Sequence, residues 1–193
     1  MTLSIPYLDK DISKNVEYLT DQHLTTVILD VFLFMQYMLA IYGPADKMLY
    51  KQTGNANIQQ VLQRWARQTP DNWFYLHNFF LAGLKEYEFR FGKPHILAGG
   101  EKYLQLPKCL FPKGFKASPP PLDSSFPVVL DDNNKPINTS NNDGTKTPSV
   151  LNSWRKYYLD YVLHGNYNYT KRNEPDFTPQ RDPANARARL RDF

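Results

Sequence analysis

Three groups of residues in this chain have types and spacings that permit chemistry. The first is the amino terminus. Met1 is followed by Thr2, and a small second residue lets the initiator methionine be removed, exposing a threonine α-amine. Such an amine has an ordinary pKa of about 7.7 to 8.0, far below lysine's, so a useful fraction is neutral and nucleophilic near pH 7. The second group is His23 with Asp30, inside "TDQHLTTVILDVFLF" at residues 20–34. Their spacing nearly completes two helical turns, so both fall along one edge of a helix. An acid beside an attacking amine can stabilise a cationic sugar or shuttle protons. The third group interleaves cations with rings. "QRWARQ" offers Arg64 and Arg67 around Trp65. "SWRKYYLDY" offers Trp154, Arg155, Lys156, Tyr157 and Tyr158, and "NYTKRNEPDF" offers Lys171 and Arg172. Positive side chains hold phosphates while rings stack on exposed bases.

Each group also has a plain structural reading, and both readings stay open at this level. Many chains begin Met-Thr without using the amine. His23 and Asp30 equally suit the hydrated edge of a core helix. Trp154, Tyr157, Tyr158 and Tyr161 share one helical face by spacing, so part of that set belongs in a core.

The elements that must carry these residues are helical. A first helix is expected within 13–42, stopping at "YGP", with Leu24, Val27, Ile28, Val31, Met35, Met38, Leu39 and Tyr42 as its apolar face. "NIQQVLQRWARQ" predicts a short second helix. "TPDNWFYLHNFFLAGLKEYEFRFGK" predicts the clearest one, with Thr69 as N-cap, Pro70 in the first turn and Gly92 as the stop. Trp73, Leu76, Phe80, Leu84, Tyr87 and Phe91 line its apolar face. Residues 107–148 are dense in Pro, Gly, Ser, Asn and Asp and read as a long irregular loop. A last strong helix, capped by Ser149, covers "SVLNSWRKYYLDYVLHG", and a basic tail follows, with a short helix around "PANARARLR". The expected fold is mainly α: one compact helical domain with a core over 1–106, the irregular loop over 107–148, and a C-terminal helix and basic tail over 149–193 that pack on the core.

Composition narrows the chemistry. The 23 Lys+Arg against 19 Asp+Glu leave a net charge of +4, which permits a nucleic-acid partner without requiring one. The 13 Tyr, 12 Phe and 3 Trp are enough both to fill a core and to stack on bases. A single cysteine, Cys109, excludes an intrachain disulfide and any cysteine-clustered zinc site. His23, His77, His95 and His164 are too far apart to suggest a metal site, and no phosphate-binding glycine loop, H-E-x-x-H or G-x-S-x-G is present. No metal and no cofactor are expected. No run of 18 uncharged apolar residues and no signal-peptide apolar region occur, so a cytoplasmic protein with no membrane partner is expected.

Two resemblances carry the reading further. "MT" at the start, "DQHL" at Asp21–Leu24, an acid nine positions after Asp21 and the late "W-R-K-Y-Y" resemble the phage pyrimidine-dimer DNA glycosylase/AP lyases of the endonuclease V type. The strings "DQH", "RWAR", "NWFYL", "KEYEFRFGK", "SWRKYY" and "KRNEPDF" are more closely similar to a group of largely uncharacterised phage and bacterial proteins, and that likeness runs through nearly all the segments expected to be ordered. The endonuclease V likeness implies a nucleophile at Thr2, an acidic partner at Asp30 (Glu in that family) with His23 alongside, and double-stranded DNA as the partner. It implies a glycosylase with AP lyase activity on damaged or modified bases, with the Trp154 segment near the lesion; for such an activity Arg64, Arg67, Lys156, Lys171 and Arg172 are the expected phosphate contacts. The alternatives are a non-catalytic phage nucleic-acid-binding protein and a phage structural or host-interaction protein.

Overall fold

The computed structural model describes residues 5–42, 60–104, 111, 116–121, 138–140, 146–148, 150–164 and 167–178. Thr2, Cys109, Ser149, most of the 107–148 segment and the 183–191 helix expectation lie outside them.

The fold is mainly α, as its periodicities predict. Helix α1 spans Ile12–Glu17, α2 Asp21–Tyr42, α3 Gln60–Ala66, α4 Pro70–Phe91 and α5 Val150–His164. A 3-10 turn covers Gly100–Tyr103. Two three-residue strands, β1 Asn138–Ser140 and β2 Lys146–Pro148, pair antiparallel with Asn138 opposite Pro148. That short ladder is the regular structure described within the segment 107–148, which was expected to be a long, poorly regular loop.

The helix expected within 13–42 is α2, and a separate short helix, α1, precedes it. Asp11 caps α1 by accepting from the amides of Ser13 at 2.8 Å and Lys14 at 3.4 Å. The chain then turns at Tyr18–Thr20, where Thr20 Oγ1 accepts from the His23 amide at 3.2 Å and so acts as the N-cap of α2. A hydroxyl that captures an early amide competes with a continuous helix. The turn persists because the carbonyls left open at the end of α1 have a donor elsewhere, in Arg90 of α4.

Helix α4 follows its cap signals closely. Thr69 Oγ1 accepts from the Asn72 amide at 3.1 Å. Pro70 opens the helix, and Gly92 closes it at φ 67°, a conformation that suits a residue without Cβ. Gly83 serves a different need. A Cβ there would sit 2.8 Å from Ile28 Cγ1, so its absence lets α4 approach α2 closely.

Helix α4 packs against α1, α2 and α3. One apolar cluster joins Ile5 and Leu8 of the N-terminal segment, Leu24, Ile28, Val31 and Met35 of α2, Trp73, Leu76 and Phe80 of α4, and Trp154 and Tyr158 of α5. The predicted α2 face is buried from Leu24 to Leu39, and Phe32 and Phe34 are buried besides. By length and hydropathy α2 could cross a membrane, but 56% of that window is covered by the rest of the chain, as in a core helix. At the α3–α4 corner Asn72 Nδ2 donates to the Trp65 carbonyl at 2.8 Å, and Trp65 Nε1 donates to the Ser118 carbonyl at 3.0 Å. Buried Trp65 therefore serves the core, and the arginines beside it stay nearer the surface.

Candidate functional site

The two acids of α2 have different surroundings. Asp21 opens the helix and is drawn into a charged cluster centred on Arg90, which is 1% exposed. Arg90 Nε donates to Glu86 Oε1 at 2.7 Å, Nη1 to the Leu19 carbonyl at 2.7 Å and to Asp21 Oδ1 at 3.0 Å, and Nη2 to the Glu17 carbonyl at 2.8 Å. A planar fork with donors in several directions suits this task; an ammonium cannot span it. The guanidinium thus ties the end of α1 and the start of α2 to α4.

The C-terminal segment 167–178 adds an outer layer. Arg172 donates to both Glu86 oxygens at 2.9 and 2.7 Å, and also lies 3.4 Å from Glu17. The Asp21 carboxylate accepts from the Thr170 amide at 3.1 Å and hydroxyl at 2.6 Å, while the Asp21 amide donates to the Asn168 carbonyl at 2.9 Å. Lys171 Nζ donates to the Phe89 carbonyl at 2.8 Å. Burial by itself raises the Glu86 carboxyl pKa, but the hydrogen bonds from Arg172 and Arg90 outweigh it and hold the pKa below the usual range. Beside this cluster lies an open cleft of about 600 Å³, walled by Glu17 and Tyr18 on one side and by residues 171–174 and Asp176 on the other.

His23 and Asp30 lie where their spacing predicts, along the edge of α2. His23 is half-buried, with its ring centroid 5.4 Å from that of Tyr158. Burial lowers its pKa below 6.5, so it is neutral at pH 7. Asp30 reaches solvent, yet the protein around it removes enough water to raise its carboxyl pKa. The N-terminal segment is anchored from its first described residue. Ile5 is 1% exposed, the Leu8 amide donates to Asn15 Oδ1 at 2.7 Å, and Asn15 Nδ2 donates to the Pro6 carbonyl at 2.9 Å.

The predicted nucleic-acid residues divide. Arg64 and Lys156 are exposed, and Arg67 and Tyr157 are half-buried. Trp154 and Tyr158 are 4% and 1% exposed, which corrects the expectation that they stack on bases; their rings fill the core. The Tyr158 hydroxyl accepts from the Thr20 amide, and burial pushes its pKa up to about 12. Arg155 ties α5 to the N-terminal segment, with Nε donating to the Leu8 carbonyl at 2.8 Å and Nη2 3.4 Å from Asp9. Its guanidinium also lies 4.8 Å from the Phe177 ring centroid. Arg172 and Lys171 are engaged as described above. Both side chains are therefore engaged within the protein. Sequence reasoning singled out neither Glu86 nor Arg90 for a role. The signal was there in their i, i+4 spacing, in register with Gly83 and Phe79 on a second face of α4 that is also buried.

Among the described residues, no group of three or more His, Cys, Asp or Glu side chains is arranged to hold a metal ion. Comparison with known proteins gives no match: no family model, no curated protein and no solved structure is significantly similar to this chain.

Proposed function

We propose that this protein acts on DNA as an N-glycosylase with AP lyase activity, using the α-amine of Thr2 as nucleophile and the Asp30 carboxylate as its partner. The observation that carries this reading is the division of labour on α2. The charged cluster around Arg90 occupies Asp21, while Asp30 stands at the surface with a raised carboxyl pKa, one helical edge along from a neutral His23. A carboxylate with a raised pKa is a better proton acceptor near neutral pH than an ordinary one. The anchored N-terminal segment adds support. Ile5, three residues after Thr2 in the sequence, is buried in the core.

In this reading the amine lone pair forms a bond to the sugar C1′ as the bond from C1′ to the base breaks, and the base leaves with a proton. Asp30 stabilises the cationic sugar. Ring opening then gives an imine, and the carboxylate takes the C2′ proton as the 3′ phosphate departs. Arg64 and Lys156 supply phosphate contacts at the surface. Displacing the base costs a few kcal/mol, least at a damaged site.

Borohydride reduction is the test. DNA carrying an abasic site should become covalently trapped on the protein, and peptide mapping should find the adduct at Thr2. Asp30→Asn should retain DNA binding and lose strand cleavage by at least about 100-fold. Absence of any adduct, or an adduct that survives acetylation of the α-amine, removes the lyase reading.

A further inference from the structure

We propose that residues 167–178 form a strap that undocks from the helical core as a unit, carrying away one wall of the cleft beside the Arg90 cluster. The charged cluster beneath it is built in two layers. The inner layer is complete without the strap: every acceptor of Arg90, namely Glu86, Asp21 and the carbonyls of Leu19 and Glu17, lies in α4 or around the α1–α2 turn. The outer layer belongs to the strap. Arg172 reaches Glu86 and Glu17, and Thr170 reaches Asp21. When the strap leaves, Glu86 and Asp21 each keep Arg90, so the heavy penalty for an unpaired buried charge is not incurred. Arg172 and Glu17 are both part-exposed and regain water.

Two further features fit such a device. Lys171 holds φ 57° in the docked strap, a left-handed conformation that a residue with a Cβ adopts at a cost, and undocking relieves it. Ring contacts at either end, Tyr169 beneath the Arg90 guanidinium and Phe177 against Tyr18, hold the strap closed. The wall of the cleft formed by residues 171–174 and Asp176 lies between these anchors. The integrity of the cleft and strap docking are therefore one equilibrium.

Amide hydrogen exchange of the whole protein, followed residue by residue, tests this. The Asp21 amide donates to Asn168 and the Thr170 amide donates to Asp21, so both report on docking from opposite sides, and Arg172 bonds to neither. Their exchange should share one opening, well below that of the Phe80 amide in the middle of α4. Arg172→Gln should speed Asp21 and Thr170 by the same factor, about tenfold, and leave Phe80 unchanged. The proposal is overturned if Thr170 and Phe80 are equally protected in the wild type. It is also overturned if Arg172→Gln leaves Asp21 and Thr170 unchanged, moves them unequally, or accelerates Phe80 alongside them.

Discussion

Arg90 shows how much one side chain can decide. It is buried and donates to the backbone carbonyl of Glu17, at the end of α1, and to that of Leu19, in the turn that follows. Arg90→Leu leaves those carbonyls open and strips Glu86 and Asp21 of their inner partner. A loss of about 3–5 kcal/mol is expected, read as a lowered urea midpoint. Arg90→Lys should recover little of it, because an ammonium does not reproduce the fork. Asp30 offers the contrast. Its side chain is exposed, so Asp30→Asn should alter stability by less than about 0.5 kcal/mol while removing the chemistry proposed for it. The residue types were visible in the sequence in both cases. What was not visible was which acid on α2 is consumed by structure, because Asp21 meets Arg90 across 69 residues of chain and Thr170 across 149.

At the scale of elements, local signals were read well where they act locally. Thr69, Pro70 and Gly92 delimit α4 as their cap chemistry requires. The break between α1 and α2 went unread, since Thr20 looks like an ordinary helical residue until Tyr158 and Arg90 hold the turn around it. The α2–α4 contact makes its own prediction. Alanine favours a helix over glycine by about 1 kcal/mol, yet overpacking costs about 1–3 kcal/mol. Gly83→Ala should therefore destabilise the protein on balance, since its Cβ would meet Ile28 Cγ1 at 2.8 Å. In an Ile28→Ala background the same change should become neutral or stabilising. A double-mutant cycle of thermal or urea unfolding measures the coupling, and simple additivity would contradict the close approach.

For the whole molecule, titration sets the stability profile. Burial lowers the pKa of His23 and His95 below 6.5. Below that value the unfolded chain binds more protons than the folded one, so stability falls as the pH drops through the folded pKa values. Glu86 adds a loss further into acid. Its folded pKa lies below 4.5, so its contribution is complete above that value and disappears as the pH falls through the folded one. Asp30 and Glu174 act in the opposite sense, because their raised pKa values favour the folded state in acid and that advantage is lost as the pH rises. Urea midpoints should decline between pH 7.5 and 5.5, and His23→Gln with His95→Gln should flatten that decline. An unchanged slope in the double variant would assign the proton uptake elsewhere.

Periodicity, caps and composition determined the helical class, the ends of α4, the apolar face of α2 and the alignment of His23 with Asp30 along its edge. These properties depend on neighbours within a few turns, and the chain states them directly. Only the tertiary structure decided that Trp154 and Tyr158 are core, that Arg155 is a tie to the N-terminal segment, and that Glu86, Arg90, Asp21 and Arg172 form one charged cluster. A cation beside a ring has the same sequence signature whether it faces phosphate or protein. Which one it meets depends on contacts made far along the chain, and only the folded arrangement supplies them.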